Sequence, residues 1–151
     1  MEMVMRLAEE KACRISDSTP GVLVIGSDQV AVIDGSILSK PGTHDNAVVQ
    51  LRAVRGRCVE FLTAVCLINS TSGKRQTDCV TTEVYFRDLT DEQIENYLSR
   101  EQPYECAGSF KSEQLGIALV EKMAGPDPSS IIGLPLIRLC EMLENEGVKI
   151  L

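Results

Sequence analysis

The sequence predicts an α/β fold in which helices flank a mixed central sheet. Its 151 residues are 44% hydrophobic but only 4% aromatic, a composition typical of a mixed domain built on Val, Leu, Ile and Ala. Some segments repeat apolar residues every three or four positions, whereas others are continuous or alternating apolar runs. The two kinds of segment alternate along the chain, which indicates helices packed on a sheet. A chain of this length forms one core, so we expect residues 1–151 to be a single domain.

Four helices are predicted from apolar residues spaced three and four apart. The first covers residues 3–15, where Val4, Leu7, Ala8, Ala12 and Ile15 form one stripe. Thr90 opens a capping-box pattern for the third helix, and Pro135 begins the last. The remaining helix ends are marked by caps or breakers: Thr43, Gly56, Pro103 and Gly147. In the last helix we expect four buried side chains: Leu136, Leu139, Cys140 and Leu143.

Strands are predicted from the apolar runs. Residues 22–25 and 30–33 are two such runs, interrupted by the polar residues 26–29 and followed by an Asp34-Gly35 turn. Residues 58–68 and 80–86 flank a polar turn, so we expect them to be antiparallel neighbours. Farther along, we expect an extended segment at 106–113 and a short strand at 117–120.

Composition excludes several classes of protein. A net charge of −7 argues against binding to a nucleic acid polymer, which depends on clustered Lys and Arg. No apolar run is long enough to span a bilayer, and the first residues lack the pattern of a signal peptide, so we expect a cytoplasmic protein without a membrane partner. The six cysteines stand singly within hydrophobic runs, which indicates buried free thiols in a reducing compartment. With His44 as the only histidine and no CxxC pair, a zinc site is not expected.

Asp28 is the first candidate for a chemical role. A carboxylate between two apolar runs is desolvated unless a partner holds it. By strand alternation it shares a face with Gly26, while Gln29 points the opposite way. Two interpretations remain open from this segment: an Asp bonded to backbone amides, and a catalytic or metal-binding group.

Three lysines and an acid are further candidates. Lys11 falls within the apolar stripe of the first helix, where an ammonium either extends to solvent or meets an anion at the sheet. Lys40, before a proline, is by itself an ordinary surface lysine. If residues 106–113 are extended, Ser109, Lys111 and Glu113 lie on one side, although a solvated strand edge has the same pattern.

Five motifs, taken together, resemble the Maf (septum-formation) family in order and spacing. They are residues 6–12 (RLAEEKA), 26–30 (GSDQV), 39–41 (SKP), 106–113 (CAGSFKSE) and 133–136 (GLPL). The resemblance implies a fold like that of inosine triphosphate pyrophosphatases, a divalent cation (Mg, Mn or Co) and a homodimer. It also implies a small nucleotide substrate, cleaved between the α- and β-phosphates to a nucleoside monophosphate and pyrophosphate. The second and fourth motifs are similar to the branch that hydrolyses 7-methyl-GTP, rather than the branch acting on dTTP and UTP.

The resemblance also implies roles for the candidate residues. Asp28 matches the family's proposed catalytic acid, which would also bind the metal, and Lys11 and Lys40 match its conserved lysines. Lys111 is expected to bind substrate with them, and Gln29 and Glu113 match positions linked to the choice of base. These roles suit phosphoanhydride hydrolysis, which needs cations around the phosphates, a metal ion and a carboxylate for the metal or the water.

Three departures from the family pattern bear on this expectation. Family members begin with a strand, a Ser-x-Ser-x-x-Arg turn and a helix that hold the triphosphate, and this sequence matches the part that follows them. We therefore expect an N-terminally truncated domain, and a non-catalytic protein that binds nucleotides stays open as an alternative. Gln114 stands where glycine is usual, and Ala64 stands where glycine is common.

Overall fold

The computed structural model describes all residues, 1–151, and contains five strands, four α helices and three short 3₁₀ helices. The α helices and strands are, in chain order, α1 (Glu2–Ser16), β1 (Leu23–Ile33), β2 (Ser36–Leu38), α2 (His44–Val54), β3 (Cys58–Asn69), β4 (Arg75–Phe86), α3 (Asp91–Glu101), β5 (Val120–Ala124) and α4 (Leu136–Glu144). The 3₁₀ helices cover Ala107–Ser109, Leu115–Leu119 and Ser130–Ile132.

The five strands form one sheet in the order β2-β1-β3-β4-β5. The predicted α/β class, a central sheet with flanking helices, is confirmed, and the sheet is antiparallel rather than mixed. One physical reason is that tight turns join β1 to β2 and β3 to β4, and such turns connect only antiparallel strands. The predicted turn after β1 is present, with positive φ at both Asp34 and Gly35.

Helix boundaries follow the predicted capping residues. Thr43 caps α2 by accepting a hydrogen bond from the Asn46 amide at 3.3 Å. Thr90 and Gln93 form both hydrogen bonds of the predicted capping box at α3. In α4, however, Leu136 is 48% exposed, and the side chains that are buried are Leu139 and Met142.

Three predicted elements differ from those observed. Strand β1 is continuous through residues 26–29, where an interruption was expected. Residues 106–113 are not extended, because Gly108 and Ser109 both have positive φ and turn the chain into a 3₁₀ helix. The segment 117–120 is largely the second 3₁₀ helix, and the strand begins at Val120.

The chain divides into two compact units, which we describe separately. The first unit comprises Met1–Gln29, Leu62–Thr81 and Pro126–Leu151. Its buried core includes side chains from β3 and α4: Val65, Leu67, Leu139 and Met142.

The second unit comprises Val30–Phe61 and Thr82–Gly125. Three aromatic rings meet in its core, since the ring centroid of Phe110 lies 5.6 Å from that of Phe61 and 5.3 Å from that of Phe86. This packing anchors the 106–113 segment at Phe110.

All six cysteines are free, although only Cys66 is buried and the others are half-buried. No helix has the length and apolar character that crossing a membrane requires.

Candidate functional site

In the first unit, helix α1 lies directly against strand β1 at Gly26. A Cβ atom at this position would lie 2.8 Å from the backbone nitrogen of Ala12, 2.9 Å from its Cβ, and nearer still to the carbonyl oxygen of Ala8. Only glycine therefore allows the helix and the strand to approach this closely. The neighbour of Ala12, Lys11, is thereby brought to the same part of the strand.

Lys11 and Asp28 form the centre of the candidate site in this unit. Lys11 Nζ lies 2.6 Å from Asp28 Oδ1 and also donates to the carbonyl oxygen of Ser27 at 2.9 Å. The Asp28 side chain is only 18% exposed, so the carboxylate has the partner that its burial requires. Of the two alternatives for Lys11, the structure therefore shows contact with an anion. The second carboxylate oxygen, Oδ2, has no hydrogen-bond partner within the protein.

Ser27 and Gln29 contact other groups of this unit, as strand alternation predicts. Gln29 Nε2 lies 2.8 Å from Thr63 Oγ1, 3.0 Å from the Ser130 carbonyl oxygen and 3.2 Å from that of Ile131. Ser27 Oγ lies 2.6 Å from the carbonyl oxygen of Gly133. The Gln29 amide nitrogen is thus used to hold the 130–133 loop, and its Oε1 stays without a partner in the protein.

A metal ion has only a partial set of ligands among these residues. No group of three or more His, Cys, Asp or Glu side chains is arranged to hold an ion. Asp28 offers one carboxylate, of which Oδ1 already contacts Lys11. Mg²⁺ in nucleotide enzymes is commonly held by one or two carboxylates, waters and the substrate's phosphates. Asp28 therefore fits a cation that is bound together with a nucleotide, and not a preformed protein cage.

In the second unit, Lys40 has an exposed and weakly held side chain. Its Nζ lies 3.8 Å from Glu105 Oε2, and the two side chains are 65% and 83% exposed. An ion pair this exposed contributes little, so Lys40 is free to turn towards an anionic ligand. It lines a cleft of about 200 Å³ together with Asn46 and Gln50.

The predicted row of Ser109, Lys111 and Glu113 on one side of a strand is wrong. Ser109 is fully buried with a φ of 57°, and its hydroxyl donates to Gln50 Oε1 at 2.7 Å. Lys111 contacts Glu101 and Gln114. Glu113 is exposed and contacts only the Ser112 hydroxyl, at 3.4 Å. The left-handed backbone at Ser109 breaks the alternation that the row requires.

Sequence reasoning missed Glu101, which holds the 111–115 segment. Its side chain is 5% exposed, with Oε1 3.5 Å from Lys111 Nζ and Oε2 accepting from the Leu115 amide at 3.1 Å. Lys111 also donates to Gln114 Oε1 at 3.1 Å, so the residue that replaces the family's usual glycine has a partner here. No sequence signal distinguishes Glu101 from a solvated acid at a helix end, because its burial depends on a distant segment.

The structure therefore places the candidate residues in two sets. Lys11, Asp28 and Gln29 belong to the first unit, and Lys11 and Asp28 are in contact. The candidates of the second unit are Lys40, Lys111 and Glu113.

Comparisons with known proteins show which family the chain is similar to. Residues 1–146 match the family model described as Maf-like protein. A protein of Nitrosococcus oceani named 7-methyl-GTP pyrophosphatase is 54% identical over 149 residues, covering 99% of this chain and 75% of the relative. Proteins with the same name from Methylobacillus flagellatus and Pseudomonas fluorescens are 54% and 53% identical, over 97% and 99% of this chain and 77% and 78% of theirs.

Proposed function

This chain belongs to the Maf family, and from that premise we propose that it hydrolyses 7-methyl-GTP to 7-methyl-GMP and pyrophosphate. The observation that carries the proposal is the contact of Lys11 Nζ with Asp28 Oδ1 at 2.6 Å, which leaves one carboxylate oxygen for chemistry. The choice of substrate is supported by relatives that share 52–54% identity over nearly the whole chain and are named for this activity.

Asp28 and Lys11 have different roles at the phosphates of the nucleotide. Asp28 Oδ2 accepts the proton of the water that attacks the α-phosphorus, as a general base. Lys11 holds Asp28 in place through Oδ1, and its positive charge stabilises the charge that develops on the phosphate oxygens. The bond to the β-phosphate breaks, and pyrophosphate leaves.

As the alternative to acting as the base, Asp28 Oδ2 would hold a divalent cation (Mg, Mn or Co) with the nucleotide. When bound, such a cation neutralises phosphate charge and acts as a Lewis acid. Lys40 and Lys111 add positive charge for the phosphates. Lys40 is the freer of the two, because Lys111 is already engaged with Glu101 and Gln114.

The base is recognised by Glu113 and Gln29. A carboxylate accepts hydrogen bonds from the guanine edge, and it favours the positive charge that methylation places on the ring. Glu113 is exposed and has only one weak contact, so its carboxylate is free for this role. Gln29 contributes the Oε1 that the protein leaves without a partner.

We also propose a cytoplasmic site of action and a homodimer. Free thiols at all six cysteines support a reducing compartment, and the net charge of −7 supports a free nucleotide rather than a polymer as substrate. Sedimentation of the purified chain at several concentrations tests the dimer, and a single monomeric species would contradict it.

A substrate panel tests the proposed activity. We expect pyrophosphate release with the highest kcat/KM on 7-methyl-GTP when GTP, dTTP and UTP are compared with it in the presence of Mg²⁺. A preference for dTTP or UTP would instead support the pyrimidine branch. Binding of nucleotide without pyrophosphate release, under conditions in which a named relative is active, would support a non-catalytic nucleotide-binding role.

A further inference from the structure

Gln50, on helix α2, uses both ends of its side-chain amide. Its Nε2 donates to the carbonyl oxygen of Ser39 at 2.8 Å, and its Oε1 accepts from the Ser109 hydroxyl at 2.7 Å. Ser39 immediately precedes Lys40, and Ser109 lies two residues before Lys111. The half-buried side chain of Gln50 therefore joins two segments that are far apart in the sequence. We call these two hydrogen bonds, from Ser39 through Gln50 to Ser109, the bridge.

Ser109 is held firmly at its end of this bridge. It is fully buried, its φ is 57°, and its carbonyl oxygen accepts from the hydroxyl of buried Tyr97 at 3.2 Å. A left-handed backbone costs energy in a residue other than glycine, so the surrounding contacts must hold it. The Gln50 and Tyr97 hydrogen bonds are such contacts.

The bridge requires an amide. Its two ends meet groups of opposite kind, a carbonyl oxygen that needs a donor and a hydroxyl that donates. A carboxylate at position 50 would keep the acceptor and lose the donor, and an apolar side chain would lose both.

We propose that Gln50 is a positioning residue, which fixes the backbone before Lys40 relative to the segment that carries Lys111 and Glu113 and so sets the affinity for the nucleotide. The side chain of Lys40 does little to fix its position, because its only ion pair, with Glu105, is exposed and 3.8 Å long. The backbone next to Lys40 is held through Ser39, while its ammonium group stays exposed. Pre-organisation of this kind improves binding because less freedom is lost when the ligand arrives. The kinetic part of this inference rests on the proposed function.

Two substitutions cut the bridge at different ends. Gln50→Glu removes the donor to Ser39, and Ser109→Ala removes the donor to Gln50. We expect each to raise KM for 7-methyl-GTP by about tenfold, the change that the loss of a single well-placed hydrogen bond produces, with kcat within about twofold of wild type. The double variant should be no worse than about tenfold, because either cut already breaks the bridge. Gln102→Glu makes the same charge change at an exposed glutamine of the same unit and should leave KM unchanged.

A second measurement does not depend on activity. In the nucleotide-free protein, hydrogen–deuterium exchange of peptides covering 38–42 and 107–113 should be faster in both bridge variants and unchanged in Gln102→Glu. If the wild type does not hydrolyse 7-methyl-GTP but exchange is faster in both bridge variants, the proposed function is wrong and the bridge is confirmed. Unchanged exchange in either segment would overturn the bridge, and faster exchange with an unchanged KM would overturn its link to substrate binding.

Discussion

At the scale of the residue, the carboxylate of Asp28 has two oxygens with different environments. Oδ1 is 2.6 Å from the Lys11 ammonium, and Oδ2 has no partner in the protein. This asymmetry suits a group that is fixed in orientation by one oxygen and acts on water or a cation through the other.

Asp28→Asn tests this division. The substitution keeps the volume and removes the charge, so we expect hydrolysis of 7-methyl-GTP to fall at least about a hundredfold while the thermal unfolding temperature changes little. Pyrophosphate release and circular dichroism measure the two effects. Turnover at the wild-type rate would show that Asp28 is not catalytic.

Glu113→Gln tests the recognition of the base. We expect the preference for 7-methyl-GTP over GTP to decrease, because the variant loses the charge that favours the methylated, cationic ring, while phosphate binding is kept. The ratio of kcat/KM for the two nucleotides measures this, with Glu121→Gln, at an exposed acid of the same unit, as the control. Equal losses on both nucleotides would place Glu113 at the phosphates.

At the scale of the element, the packing of α1 on β1 creates the Lys11–Asp28 contact. The close approach depends on Gly26, where added side-chain atoms would meet the backbone of α1. Backbone atoms cannot move aside as a flexible side chain can, so the whole helix would have to shift.

Gly26→Ala should therefore reduce stability by about 3 kcal/mol, at the upper end of the range for overpacking, and should also reduce hydrolysis. Urea unfolding measures the loss. Gly73→Ala is the control, because Gly73 has a φ of 74° and no atoms lie near the added methyl group. The stability of this variant should therefore decrease only by the cost of a left-handed backbone at alanine, about 1–2 kcal/mol. A loss at Gly26 no larger than that at Gly73 would contradict the close packing.

Asp127 stabilises the first turn of α4 from outside the helix. Its Oδ2 accepts from the Ile137 amide at 2.8 Å, and its Oδ1 accepts from the Ser129 amide at 2.9 Å. Burial by itself raises the pKa of Asp127, but these hydrogen bonds and that of the Ser129 hydroxyl outweigh it and hold the pKa below the usual 3.8.

A lowered pKa in the folded protein means that the unfolded chain binds the proton more readily. The contribution of Asp127 is therefore fully present above about pH 3.8 and is lost as the pH falls through the lower folded-state pKa. We expect Asp127→Asn to be less stable than wild type at pH 7 and to lose less stability between pH 5 and pH 2. Urea unfolding at a series of pH values measures both, and parallel curves for the two proteins would contradict the role of Asp127 as an ionised cap.

At the scale of the whole molecule, the chain combines a net charge of −7 with six free cysteines. Burial raises the pKa of the Cys66 thiol, which lies in the core, so little of the reactive thiolate forms at neutral pH. The stability of this protein thus depends on packing and hydrogen bonds, without covalent links between its elements.

Thiol titration tests this state. In urea, protein purified without reducing agent should have six thiols per chain that react with a thiol reagent. In the native protein at pH 7, Cys66 should resist alkylation. Cys66→Ala should lower the denatured count by one and leave the native reaction unchanged. Fewer than six thiols in the unfolded wild type would reveal a disulfide.

The sequence by itself determined the elements whose causes are local. The stripe of Val4, Ala8 and Ala12, the capping box at Thr90 and the turn at Asp34 each act within a few residues, so their helix or turn could be predicted. It also identified Asp28 as a carboxylate in need of a partner, because burial of a charge follows from the apolar runs on either side.

Only the tertiary structure decided which groups meet across long separations in the chain. It paired Lys11 with Asp28, buried Glu101 beneath Lys111, and joined Ser39 to Ser109 through Gln50. The left-handed turn at Ser109 also depends on distant partners, and it places a 3₁₀ helix within the segment that was predicted to be extended. A hydrogen bond between residues 59 apart leaves no periodic pattern in the sequence, since it depends on where the folded backbone places both ends.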